Sequence, residues 1–171
     1  QELDRDVSDF DPKISPWHIH QVLRDSARYQ RKFADHAHRH SFNGGALTPG
    51  RVDARWMNRA AQIDRAIVGE SVRWGDHRKD VGDDGWASGP YQVYTRNEHW
   101  LAEQNRLRTQ YFPSRTLVAL QQLRDDNLYP NVEAPSFSQH GGSVSAGFQL
   151  EMSAPEGVIY YTTDGADPWP E

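Results

Sequence analysis

Cysteine is absent from all 171 residues, which excludes disulfides, thiolate zinc sites and cysteine nucleophiles while remaining compatible with any compartment. Long apolar runs are absent too. None approaches the roughly 18 residues of a membrane span, so no membrane span is expected. Lysine is scarce, since arginine supplies 16 of the 19 basic residues. No basic stripe of the kind that grips nucleic acid is present; paired surface arginines account for the bias, and no nucleic-acid partner is expected. Residues 131–171 hold six acids and no base, whereas residues 1–130 hold 18 acids and 19 bases. Two differently composed segments therefore meet near Pro130. The chain opens on Gln1 with no signal-peptide pattern, and a processed or partial chain is the expectation.

Apolar content is only 36%, yet six Trp, seven Tyr and six Phe argue for a folded chain, because such side chains exist mainly to be buried or to bind. Helical pattern dominates the first 130 residues. Residues 1–15 carry no helical period and read as an extended arm. Trp17, Ile19, Val22 and Leu23 fit a short helix after Ser15-Pro16. Ala27, Tyr29, Phe33, Ala37 and His40 continue on a second, capped by Asp25 or Ser26. Asn43-Gly44-Gly45 supplies positive-φ residues to close it, and Thr48-Pro49 is a well-formed start for the third. There Val52, Trp56, Ala60, Ile63 and Ile67 step as a buried stripe, with Trp56, Ile63 and Ile67 expected in the core. Asn97 is a candidate cap for a further helix. Phe112-Pro113-Ser114 is expected to interrupt it, with a last helix running to Asn127. Residues 16–130 thus form a helical unit.

After Pro130 the period becomes alternating. Phe137, Val144, Phe148–Met152 and Val158–Thr162 read as short strands between glycine-bearing turns, with Phe148, Leu150, Val158 and Tyr160 on inward faces. So few residues cannot close a sandwich, and residues 131–171 are expected to be a truncated module that is ordered only by contact with something else. The fold class is therefore mainly α with a small, incomplete antiparallel β-sandwich segment.

Residues 23–35 (Leu-Arg-Asp-Ser-Ala-Arg-Tyr-Gln-Arg-Lys-Phe-Ala-Asp), the corner from His38 to Thr48 and Glu70-Ser71-Val72-Arg73-Trp74-Gly75-Asp76 resemble the C-terminal part of the CotH family, bacterial spore-coat proteins and relatives with an atypical kinase-like fold. Leu128-Tyr129-Pro130 before Ala134-Pro135-Ser136-Phe137 resembles the exit from that domain. Residues 159–168 (Ile-Tyr-Tyr-Thr-Thr-Asp-Gly-Ala-Asp-Pro) resemble the start of the chitobiase/β-hexosaminidase C-terminal type of β-sandwich. The first resemblance implies the helical lobe of a kinase-like fold in a secreted or envelope-associated bacterial protein. The family's catalytic and metal-binding aspartates do not occur here, so no phosphoryl transfer is expected of this chain. His38-Arg39-His40-Ser41-Phe42-Asn43 only superficially resembles a kinase His-Arg-Asp loop.

Candidate sites are few. His36 and His40 lie one helical turn apart and could begin a zinc or nickel site, but no third ligand is identifiable; capping and surface roles are the better account, and no metal or cofactor is expected. Glu70 and Arg73 could be cleft residues, or could pair with each other or orient Trp74. Trp86, Tyr91 and Tyr94, in the glycine-rich stretch from Asp76 to Arg96, could form a sugar-stacking platform or be buried. Asp164 and Asp167 suit an Asx-type turn better than a calcium site. Three functions follow: a non-catalytic scaffold and docking portion of a larger protein, which is favoured; a carbohydrate or cell-surface binding module; and a substrate-contacting lobe of an active atypical kinase. The implied partners are the rest of a parent chain or an assembly, and carbohydrate.

Overall fold

A computed structural model describes residues 3–7, 13–75 and 93–169. Among the described residues five α-helices run in order: α1 (Trp17–Leu23), α2 (Ala27–Ser41), α3 (Pro49–Trp74), α4 (Leu101–Arg106) and α5 (Phe112–Asp125). Two π-helical turns, Arg96–Trp100 and Leu107–Tyr111, adjoin α4 on either side. The chain is mainly helical. Its only sheet among the described residues is one antiparallel pair, β1 (Ser136–Phe137) with β2 (Met152–Ser153), in the register Ser136 to Ser153 and Phe137 to Met152.

The corner between α2 and α3 shows why its sequence is glycine-rich. Asn43 (φ 52°) and Gly44 (φ 77°) turn through the left-handed region, as a helix exit requires. Gly45 serves differently. A Cβ there would collide with the carbonyls of Arg39 and His40, so its lack of a side chain permits close approach. Thr48 has the extended backbone of an N-cap, but its hydroxyl donates back to the Gly45 carbonyl at 2.7 Å instead of capping α3.

Residues 96–125 form one continuous helical rod, and this corrects the expected break at Phe112-Pro113. Proline lacks an N–H and its ring crowds the carbonyl four residues back, but the wider π turn over Leu107–Tyr111 carries the chain through that conflict. The start of the rod is also earlier than Asn97. Thr95 is the cap, its hydroxyl accepting from the Glu98 N–H at 3.2 Å. The rod ends at Asp125; Asn127 (φ 59°) then reverses the chain, and the Leu128 and Tyr129 N–H groups both return to the Leu123 carbonyl.

Among the described residues the buried apolar side chains are Ala60, Leu107, Phe112, Leu120, Leu128 and Tyr129. The core thus follows the rod and the turn after it. Along α3 the stripe is only partly covered: Ala60 is buried and Ile67 half-buried, whereas Trp56 (39%) and Ile63 (40%) stay exposed, contrary to expectation. The reason is that α3 meets the rod along one edge, at α5 and the first π turn. Trp56 leans its edge on Phe112 (5.7 Å, 66°) and donates its Nε1–H to Gln104. Two ion pairs bind α3 to the rod, Asp53 with Arg108 at 2.7 Å and Asp64 with Arg96 at 2.6 Å.

At the other end, α1 joins α2 through aromatic rings. His20 packs against Trp17, Tyr29 and Phe33, and its Nδ1 lies 2.7 Å from the Tyr29 hydroxyl. Arg24 reaches Asp126 at 3.3 Å and so ties this pair to the end of the rod. Residues 3–5 lie along α5, their carbonyls accepting from Arg115 and Gln122.

Beyond Pro130 the expected strands mostly do not form. Among the described residues Val144, Phe148 to Leu150 and Val158 to Thr162 enter no strand pair, Glu151 only accepts from the Ser138 N–H at 2.9 Å beside the short ladder, and Phe148, Leu150, Val158 and Tyr160 are exposed. Alternation marks a strand only when a neighbouring strand completes its ladder, and none is present there.

Candidate functional site

The end of α3 lies against the chain that enters the rod, and the two enclose an open cleft of about 870 Å³. Gly75 makes the approach possible. Its carbonyl accepts from the Tyr94 N–H at 2.9 Å, and a Cβ at Gly75 would press within 2.8 Å of the Tyr94 carbonyl. Only glycine admits this contact. A second clamp sits deeper, where Arg96 grips Asp64 through Nε (2.9 Å) and Nη2 (2.6 and 2.8 Å), the planar fork that guanidinium offers a carboxylate.

From α3 come Ile67, Glu70, Ser71 and Trp74, all on one face because they recur at three- and four-residue steps. From the facing segment come Tyr94, Thr95, His99, Trp100 and Glu103. Trp74 is 48% exposed, and the Arg73 guanidinium lies 4.9 Å from its ring centroid. Arg73 thus stacks on Trp74 rather than pairing with Glu70. The His99 ring sits 4.9 Å from Tyr94, and its Nδ1 accepts from the Thr95 N–H at 3.0 Å. That bond assigns the proton of the neutral ring to Nε2, leaving a donor. Glu103 accepts two 2.7 Å hydrogen bonds from Arg106, which hold its carboxyl below the usual range and keep it ionised. Two carboxylates, one imidazole and three aromatic rings therefore share a concave surface. It is suited to binding; among the described residues none of its lining pairs a nucleophile with a base.

Of the candidates named from sequence, Glu70, Trp74 and Tyr94 are brought together here, with Arg73 behind Trp74. Trp86 and Tyr91 lie outside the described residues. His36 and His40 are elsewhere, exposed on α2 with ring centroids 6.5 Å apart. No group of three or more metal-ligating side chains occurs among the described residues. Between them in sequence, His38 turns inward: it stacks on Phe42 at 4.5 Å, and its Nδ1 lies 2.7 Å from the Tyr129 hydroxyl. Burial, then the nearby His140, lowers its pKa. At the far end of the chain Asp164 accepts from the Ala166 N–H at 3.0 Å, an Asx turn.

Sequence reasoning missed Trp100, His99 and Glu103 as site residues. Trp100 and Glu103 stand three apart and share a helix face, which is a usable signal in the sequence.

No family model, curated protein or solved structure matches this chain. No helix among the described residues is long and apolar enough to cross a membrane.

Proposed function

We propose that this chain is a non-catalytic scaffold and docking portion of a larger CotH-like bacterial protein, secreted or associated with the envelope, in which its helices form the helical lobe of a kinase-like fold. The observation that supports it is the thinness of the core beside the apolar surface left uncovered. Ile19 and Val22 on α1, Ile63 and Val72 on α3, and Val158, Tyr160 and Tyr161 in the tail are all exposed. Fully burying such a side chain is worth about 1.5–3 kcal/mol, so covering even part of this surface would stabilise an assembly substantially.

Ile63→Asp tests the reading. In the chain alone it is expected to shift stability by no more than about 0.5 kcal/mol, because the site is exposed. In the larger protein it should release the lobe, read as new dye binding to apolar surface and a lower melting temperature. An unchanged larger protein would sink the docking role. The non-catalytic part has its own check: the purified chain, with labelled ATP and Mg²⁺ or Mn²⁺, should take up no phosphate, and stoichiometric incorporation would overturn it.

A second reading, carbohydrate binding, is favoured by one observation, the convergence of Trp74, Tyr94 and Trp100 on a single cleft.

A further inference from the structure

Resting on that second reading, and independent of the docking role, we infer that the cleft between α3 and the rod entrance is a binding site for a neutral oligosaccharide a few pyranose rings long. Three observations combine to define the ligand. The first is the ring trio of Trp74, Tyr94 and Trp100 along the walls, with Trp74 partly exposed. Aromatic faces carry negative quadrupole density, and the C–H face of a pyranose, slightly positive, packs flat against them.

Charge decides the second point. Glu70 and Glu103 line the cleft. Among the described residues the cations beside it are Arg73, which lies over the Trp74 ring, Arg96, paired with Asp64, and Arg106, paired with Glu103. A uronate or a phosphorylated sugar would meet both carboxylates, and among the described residues the guanidinium groups of Arg96 and Arg106 are already held by Asp64 and Glu103. The hydroxyls of a neutral sugar can instead donate to Glu70 and Glu103 and accept from the Nε2–H of His99. Size decides the third. A cleft of about 870 Å³ is of the volume that encloses a multi-ring ligand. A lone quaternary ammonium group needs aromatic faces closed to within about 6 Å of it, a far smaller cage.

The test titrates the whole chain with three sugars, cellotetraose, mannotetraose and tetragalacturonate, and separately with choline, by calorimetry and by ligand-observed NMR. Binding of a neutral tetrasaccharide is expected, weakened about tenfold or more by Trp74→Ala. Glu70→Gln, which preserves shape, should weaken it several-fold. Trp17→Ala, on α1 far along the chain, should leave it unchanged. Circular dichroism identifies any variant that has lost its fold, and the exposed Glu70 keeps the test decisive if Trp74→Ala does so. Neutral-sugar binding indifferent to both cleft variants would overturn the site while sparing the carbohydrate reading. Preference for tetragalacturonate would overturn the ligand class. No binding to any of the three would remove the carbohydrate reading altogether, and choline binding dependent on Trp74 would replace it with cation recognition.

Discussion

The rod from residue 96 to 125 and the tail from residue 131 to 169 are of similar length but solve the backbone problem in opposite ways. Each turn of the rod satisfies its own N–H and C=O groups, so it needs only a narrow apolar seam, from Leu107 through Phe112 to Leu120, to be held in place. The tail has no such autonomy. Its one ladder is two residues long, and between Val158 and Thr162 no backbone hydrogen bond forms among the described residues. Helices tolerate a thin core, whereas isolated strands do not. What fastens the tail to the helices is local: Trp169 lies under the Arg31 guanidinium at 5.0 Å, beside a cleft of about 710 Å³ shared with Arg124 and Tyr129.

The sharpest way to break this contrast is to place the same substitution in both regions. Leu120 is 2% exposed, and Leu120→Asp strands a carboxylate in the seam at a cost of several kcal/mol, on the order of the whole stability of a domain. Loss of cooperative helix melting by circular dichroism is expected. Val158→Asp, at 76% exposure, should change stability by less than about 0.5 kcal/mol. Equal effects would mean that the tail owns a core of its own.

Hydrogen exchange in dilute solution sharpens the same point without mutation. Amides of α5 should exchange only through global unfolding, while those from Val158 to Thr162 exchange at near-free rates. Strong protection of the latter in a monomer would show a complete small β fold. A smaller effect is expected where the rod meets α3. Asp64→Asn removes one partner of the bidentate pair with Arg96, at about 1 kcal/mol for a partly exposed pair, and its destabilisation should shrink in high salt. Urea melts at two ionic strengths measure it.

The sequence announced its helices better than their surroundings. Thr48-Pro49 and Asn43-Gly44 mark the corner because their chemistry is local, a fixed φ and two positive ones. The stripe on α3 was legible as a face, but periodicity says nothing about how fully a partner covers it, and Trp56 (39%) and Ile63 (40%) are only partly covered. Continuity through Pro113 was hidden because a π turn leaves no composition signal. In the candidate site, Glu70, Trp74 and Tyr94 could be named from sequence. That they converge with Trp100 depends on the Gly75 to Tyr94 hydrogen bond, a tertiary contact that no spacing rule foretells.

The smallest expected effect lies at the seam between the two regions, where His38 on α2 bonds Tyr129 and feels His140 from the tail. Burial lowers the His38 pKa below its ordinary 6.5, and His140 lowers it further, against a weaker opposite pull from Asp35. The unfolded chain therefore binds the proton more readily than the folded one. Stability from this group is complete above about pH 6.5, declines as pH falls through that value, and levels off once the folded histidine is also protonated. At the alkaline end burial raises the Tyr129 pKa above its ordinary 10.0, against a weaker lowering by Arg124, so the fold loses stability again as the unfolded tyrosine ionises. Melting temperatures between pH 5 and 8 should thus fall on the acid side, with His20, also lowered by burial, adding to the slope. His38→Gln should flatten part of that decline. His140→Ala should move the His38 titration, followed by NMR, part of the way back toward 6.5, because one of the two influences that lower it is gone while burial remains. If the His38 titration is indifferent to His140, the tail does not rest against α2 in solution, and its order must come from elsewhere.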